Sequence, residues 1–123
     1  MTPLDEYYDR LPADFQECFL AARDVLLGLE DLNLEATYKW HLPFFYRDKR
    51  GVCYLNYRRK RHDGYLAFAA GRHLVHPLLV NEGQKTTRML MLDPRADLPL
   101  DAIIDCTRQA AHWVEHNQKS WGY

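Results

Sequence analysis

Glu35-Ala36-Thr37-Tyr38-Lys39-Trp40-His41 is the stretch on which the fold turns. Before it, apolar residues recur every three or four positions. Within it they recur every second position: Ala36, Tyr38 and Trp40 on one side, Glu35, Thr37, Lys39 and His41 on the other. That alternation is the signature of a half-buried strand. Working back, Phe15, Cys18, Phe19, Ala22, Val25, Leu26 and Leu29 form a stripe that predicts a helix over 13–32. A shorter helix precedes it. Thr2 stands at its N-cap with Pro3 behind it and Asp5 at the third helical position, and Pro12 ends it.

Working forward, Pro43 interrupts the first strand and residues 44–47 begin a second. Asp48-Lys49-Arg50-Gly51 reads as a turn. Residues 52–58 and 65–69 read as strands joined by a hairpin over 59–64, and 71–83 as a loop or edge segment. A fifth strand is predicted over 86–92 and a last helix over 100–117, started by Asp97-Leu98-Pro99, with Ile103, Ile104, Thr107, Ala110, Ala111 and Val114 as its buried stripe. Strands grouped between helices predict an α+β two-layer sandwich, with the helices on one face of a mostly antiparallel sheet. The other face is expected to meet water or a partner. The whole chain, 1–123, reads as one domain with a core of about 3–117. Its tail, 118–123, has no period, and Trp121 and Tyr123 there are expected to fold back or to dock on a partner.

With 123 residues, 47% hydrophobic and 27% charged, the chain needs no disulfide or structural metal to bury a core. Cys18, Cys53 and Cys106 are scattered and form no C-x-x-C pair, which predicts reduced thiols. No apolar run is long enough for a membrane span, and the acidic start does not resemble a signal peptide, so a cytoplasmic protein is expected. The net charge of -1 hides an asymmetry. Residues 1–35 carry nine acids against two bases, and residues 36–95 carry twelve bases against four acids.

Three stretches resemble the YdhG-like family, a domain of unknown function with a frataxin-like branch described as an iron chaperone. Glu35 to Phe44 is similar to its E…W-G-x-P-F strand, with His41 where glycine is common. Tyr65 to Gly71 is similar to its hydrophobic-x-F-x-x-G strand, and Glu82 to Arg88 to its G-x-x-K-x-x-R segment, with Gln84 inside the Gly-Lys loop. The resemblance covers roughly residues 3–115 and implies a helix–sheet–helix sandwich.

Five features could carry chemistry. Glu17, Asp24 and Asp31, seven residues apart on the predicted second helix, form an acidic ridge, which could hold iron weakly under the frataxin-like reading. Steps of about 10 Å keep any two of them from chelating one ion, and the plainer reading is a solvated helix face. His112 with His116, and His73 with His76, supply two ligands each where zinc needs three or four. Arg58-Arg59-Lys60-Arg61-His62, beside Tyr54, Tyr57 and Tyr65, could serve single-stranded nucleic acid. The pI of about 6.6 argues against that, and a charged hairpin also protects a sheet edge. Gly83-Gln84-Lys85-Thr86 lacks the first glycine of a P-loop and precedes a strand, which leaves an anion-binding turn with Lys85 and Arg88, or a simple turn. The aromatic fraction of 13% is enough to line a pocket or an interface as well as a core. No serine or paired-carboxylate pattern suggests an enzyme.

The leading expectation is therefore a non-enzymatic binding module. Its uncovered sheet face would contact a small molecule or a protein through Trp40, His41, Pro43, Phe44, Lys60, His62, Lys85 and Arg88. The alternatives are an iron-binding chaperone using Glu17, Asp24 and Asp31, and nucleic-acid binding through the 58–62 hairpin. No cofactor is expected outside the iron alternative. A homodimer fits the exposed face, and no membrane association is expected.

Overall fold

The structure is a computed structural model and describes residues 1–117. Helix α1 (Pro3–Asp9) opens with the reciprocal cap expected of Thr2 and Asp5. The Asp5 amide donates to Thr2 Oγ1 at 3.1 Å and the Thr2 amide donates to Asp5 Oδ2 at 3.2 Å. Helix α2 (Ala13–Leu27) buries Phe15, Phe19, Ala22 and Leu26. It stops short of the predicted end at residue 32, because Gly28 closes it. Leu29, Leu32 and Leu34 remain buried in the turns that follow. The apolar period there records burial, not helix.

Five strands follow: β1 (Glu35–Lys39), β2 (Leu42–Arg47), β3 (Arg50–Arg58), β4 (Asp63–Phe68) and β5 (Arg88–Leu92). Each pairs antiparallel with its neighbours in sequence, in the order β1-β2-β3-β4-β5. Pro43, expected to interrupt a strand, instead lies inside β2 opposite Tyr38 of β1. The register with β3 begins only at Phe44, so no ladder bond on that side requires the missing N–H. Between Phe45 and Tyr46 the β2–β3 register shifts, and Val52 is the extra residue. Val52 and Cys53 both join the main core as a result.

The helices cover one sheet face. Phe45, Leu55, Leu66, Phe68, Leu90 and Leu92 meet the buried stripes of α2 and α3 (Leu100–His116) there, which makes the domain an α+β fold. Arg50, at the start of β3, donates through one Nη to the carbonyls of Val114 at 2.6 Å and Glu115 at 3.1 Å. It thereby satisfies two otherwise open carbonyls at the end of α3.

The outer face is less bare than expected. Tyr65, Ala67 and Met89 form a second buried cluster with Val80 packed against it. Val80 exchanges backbone bonds of 2.8 and 3.0 Å with Met89, so part of the 74–87 segment runs along the edge of β5. The same segment is held to α3 by the Gln109 side chain, which accepts from the Val75 amide and donates to its carbonyl, both at 2.9 Å.

Two hairpins turn in two residues, Trp40-His41 and Asp48-Lys49, and all four have positive φ. This is the backbone that normally selects asparagine and glycine. His41, at φ 64, stands where the resemblance places glycine. His41→Gly is expected to raise the unfolding free energy by about 0.5–1 kcal/mol. Relief of left-handed backbone, about 1–2 kcal/mol, exceeds the roughly 0.4–1 kcal/mol that an added glycine costs through the unfolded chain. Urea unfolding measures this, and a loss of stability would contradict it.

Candidate functional site

The turn at 40–41 also decides where its two rings go. Strict alternation puts Trp40 with Tyr38 and His41 on the opposite side. The left-handed backbone reverses this. Trp40 packs on Phe44 of the outer face, centroids 5.3 Å apart, and His41 lies beside Tyr38, centroids 6.2 Å apart. His41 and Tyr38 then line a cleft of about 280 Å³ between α1 and the adjoining ends of β1 and β3. Tyr7 and Tyr57 supply further aromatic wall, Pro3 and Leu11 apolar wall, and Glu6, Arg10 and Arg59 the charged rim.

The aromatic walls are fixed by their own bonds. The Tyr57 amide donates to the Tyr7 hydroxyl at 3.0 Å, tying α1 to β3. Burial pushes the Tyr7 phenol up to about 12, so it stays neutral at physiological pH. The Tyr57 hydroxyl lies 2.7 Å from His62 Nδ1. Arg10 pairs with Glu6 at 3.9 Å. The arrangement offers stacking surface, phenol hydroxyls and guanidinium groups around a half-open hollow, which is equipment for binding.

The residues expected to share a site do not converge. Trp40 is 57% exposed at the hairpin tip, while Phe44 is 2% exposed and Pro43 is also buried. Lys60 is exposed at the β3–β4 turn. His62, in the same turn, faces the helices, with its ring 5.1 Å from that of Phe15. Lys85 is exposed in the 74–87 segment, and Arg88 donates to the carbonyls of Gln84 at 3.2 Å and Thr87 at 2.9 Å. Of the eight, His41 alone lines the cleft. Tyr38 lay in the family-like strand, and Arg59 and Tyr57 in and beside the basic hairpin read for nucleic acid, but no linear motif joined them to Tyr7 or Arg10. For Tyr7 the hint was its place beside Tyr8 in a helix too short to bury both: Tyr8 is 4% exposed and Tyr7 only half-buried.

Two of the four bases of the hairpin are paired with carboxylates. Arg58 forks onto Asp63 at 2.8 Å and onto Glu82, and Arg61 reaches Glu82 at 3.2 Å. Arg58 also lies over the Tyr65 ring at 4.9 Å. Hydrogen bonds from Arg58 hold the Glu82 carboxyl below its ordinary value of 4.5. A carboxylate depressed in the folded state stabilises above its unfolded pKa and stops doing so as pH falls through the folded one. Stability is therefore expected to fall as pH drops below about 4.5. Glu82→Gln should shrink that fall in a pH series of urea melts, and an identical fall in the variant would rule Glu82 out as a source.

The acidic ridge does not form as expected. Asp31 lies beyond the end of α2 and pairs with Arg108 at 3.2 Å, and Asp24 pairs with Arg23 at 2.9 Å. Glu17 remains on α2, exposed. Among the described residues no three His, Cys, Asp or Glu side chains are placed to hold a metal ion. The His112 and His116 rings lie 4.1 Å apart, with His116 Nδ1 2.8 Å from the His112 carbonyl, and His73 stacks on Trp113 instead of joining them. Burial raises all three thiols, Cys106 to about 12. Trp121 and Tyr123 lie outside the described residues. Among the described residues no helix is long and apolar enough to cross a membrane. No family model, curated protein or solved structure matches the chain.

Proposed function

We propose that the domain is a non-enzymatic binding module and that a small organic molecule enters the tyrosine cleft between α1 and the β1–β2 hairpin. The observation that carries this reading is the gathering of Tyr7, Tyr38 and Tyr57 with His41 around one hollow, at a turn held in left-handed backbone. Strained non-glycine backbone persists where the surroundings enforce it, and it concentrates at ligand sites. The described lining of the cleft offers ring faces, hydroxyls and guanidinium groups, and the three cysteines lie elsewhere. The likeness to YdhG-like sequences supports the same sandwich and adds no reaction.

The test is a two-dimensional amide NMR titration of the full chain with a set of single-ring fragments. Binding in the cleft is expected to move the amides of Tyr7, Tyr38, His41 and Tyr57 together. Shifts confined to Thr37, Tyr54 and Met91 would place the ligand on the outer sheet face instead, and no shifts at either place would reject a small-molecule role.

A further inference from the structure

The arginines of this chain are almost all committed. Arg10, Arg23, Arg47, Arg58, Arg61, Arg95 and Arg108 each pair with a carboxylate. Arg50 and Arg88 donate to backbone carbonyls, and Arg72 lies 3.3 Å from His73 Nε2. Arg59 is the exception: its backbone carbonyl accepts from the His62 amide at 3.3 Å, but its guanidinium has no hydrogen bond, ion pair or ring contact among the described residues. It is one of two arginines on the rim of the tyrosine cleft, and the other, Arg10, pairs with Glu6, the one carboxylate among the described residues that line it.

We infer that the cleft takes a planar organic anion, a single-ring aromatic carboxylate, with Arg59 as the partner of its carboxylate. This rests on the binding reading above and names the ligand class for that site. A guanidinium presents a fork of donors that matches a carboxylate in two parallel bonds, which suits an anion delivered in a fixed plane. The tyrosine walls suit the ring, since aromatic faces stack edge-on or offset at low entropic cost. A volume of about 280 Å³ lies just below the roughly 300–1,000 Å³ typical of small-molecule sites, which points to one ring and not a dinucleotide. A bare inorganic anion would use the guanidinium and leave the aromatic walls without a role.

Benzoate, benzamide and inorganic phosphate, each titrated into the full chain by amide NMR, separate the possibilities. Benzoate is expected to bind saturably with a Kd on the order of millimolar or tighter, moving Tyr7, Tyr38 and Tyr57. Benzamide keeps the ring and lacks the charge, and should bind about tenfold more weakly. Arg59→Met keeps the apolar stem and should weaken benzoate by about tenfold while leaving benzamide unchanged. Arg61→Met, at an arginine engaged by Glu82, should change neither. Equal binding of benzoate and benzamide in the cleft would overturn the anion assignment and leave the cleft reading standing. Phosphate matching benzoate would overturn the aromatic part. No cleft shifts with any probe would overturn both.

Discussion

Phe19→Ala is expected to lower the unfolding free energy by about 3–5 kcal/mol, the usual cost of emptying a buried aromatic site. That is a large part of the roughly 5–15 kcal/mol that holds a domain of this size together. Phe19 is fully buried on α2, with its ring edge-on to Phe15 at 6.2 Å, and it presses directly on the backbone of Gly64 in β4. A Cβ added at Gly64 would lie 2.7 Å from Phe19 Cε1 and Cζ, so the ring is seated where only glycine leaves room. The two positions are therefore coupled. Gly64→Ala should be destabilising alone and cost less in the Phe19→Ala background, with an interaction energy of about 0.5–3 kcal/mol. Urea unfolding of the four proteins tests this. Simple additivity, or a Phe19→Ala loss below about 1 kcal/mol, would show that the helical layer does not rest on this contact.

Gly71→Ala is the second substitution with a large expected effect. Its Cβ would come within 2.3 Å of the Arg88 backbone nitrogen and 2.5 Å of the Arg88 Cβ. Backbone cannot swing aside as a side-chain end can, so the start of β5 must move. The expected cost is toward the top of the roughly 1–3 kcal/mol range for overpacking. The loss should be local as well as global. The Arg72 amide, which donates to the Thr86 carbonyl at 2.8 Å, and the Met89 amide, bonded to Val80, should both lose protection from hydrogen exchange. Unchanged protection and stability would mean that this crossing is looser than the 2.3 Å approach requires.

The same contact shows what could be read in the chain beforehand. Gly71 ends one of the family-like stretches and Arg88 ends another, and in the structure they touch. The Thr2–Asp5 cap, the α3 stripe and the switch of period at Glu35 were equally legible, because each is set by residues near one another in sequence. Misreadings occurred where burial and secondary structure part company. Leu29 and Leu32 keep a helical spacing outside any helix, and Pro43 sits in a strand because β3 does not pair there. The site was the least legible. Tyr7, Tyr38 and Tyr57 come from α1, β1 and β3 and meet only through tertiary packing. The fate of His41 depended on a turn whose positive φ no side-chain pattern announces. The acidic ridge dissolved for a related reason: once Gly28 ended α2, Asp31 fell outside the helix that carries Glu17 and paired with Arg108.

The strand order β1-β2-β3-β4-β5 matters for how the chain is made as well as for how it stands. Every strand leaves the ribosome directly after the one it will lie beside, so each arrival can zip onto an edge already in place and no strand must wait for a distant partner. Contacts this local favour fast assembly. The exception is α3, which is synthesised after the whole sheet and completes the inner layer, with Arg50 waiting at its end. Until it docks, the nascent sheet shows Leu55, Leu66 and Leu90 to its surroundings. Apolar surface left open in this way is prone to aggregation, so α3 is the element whose docking closes that risk.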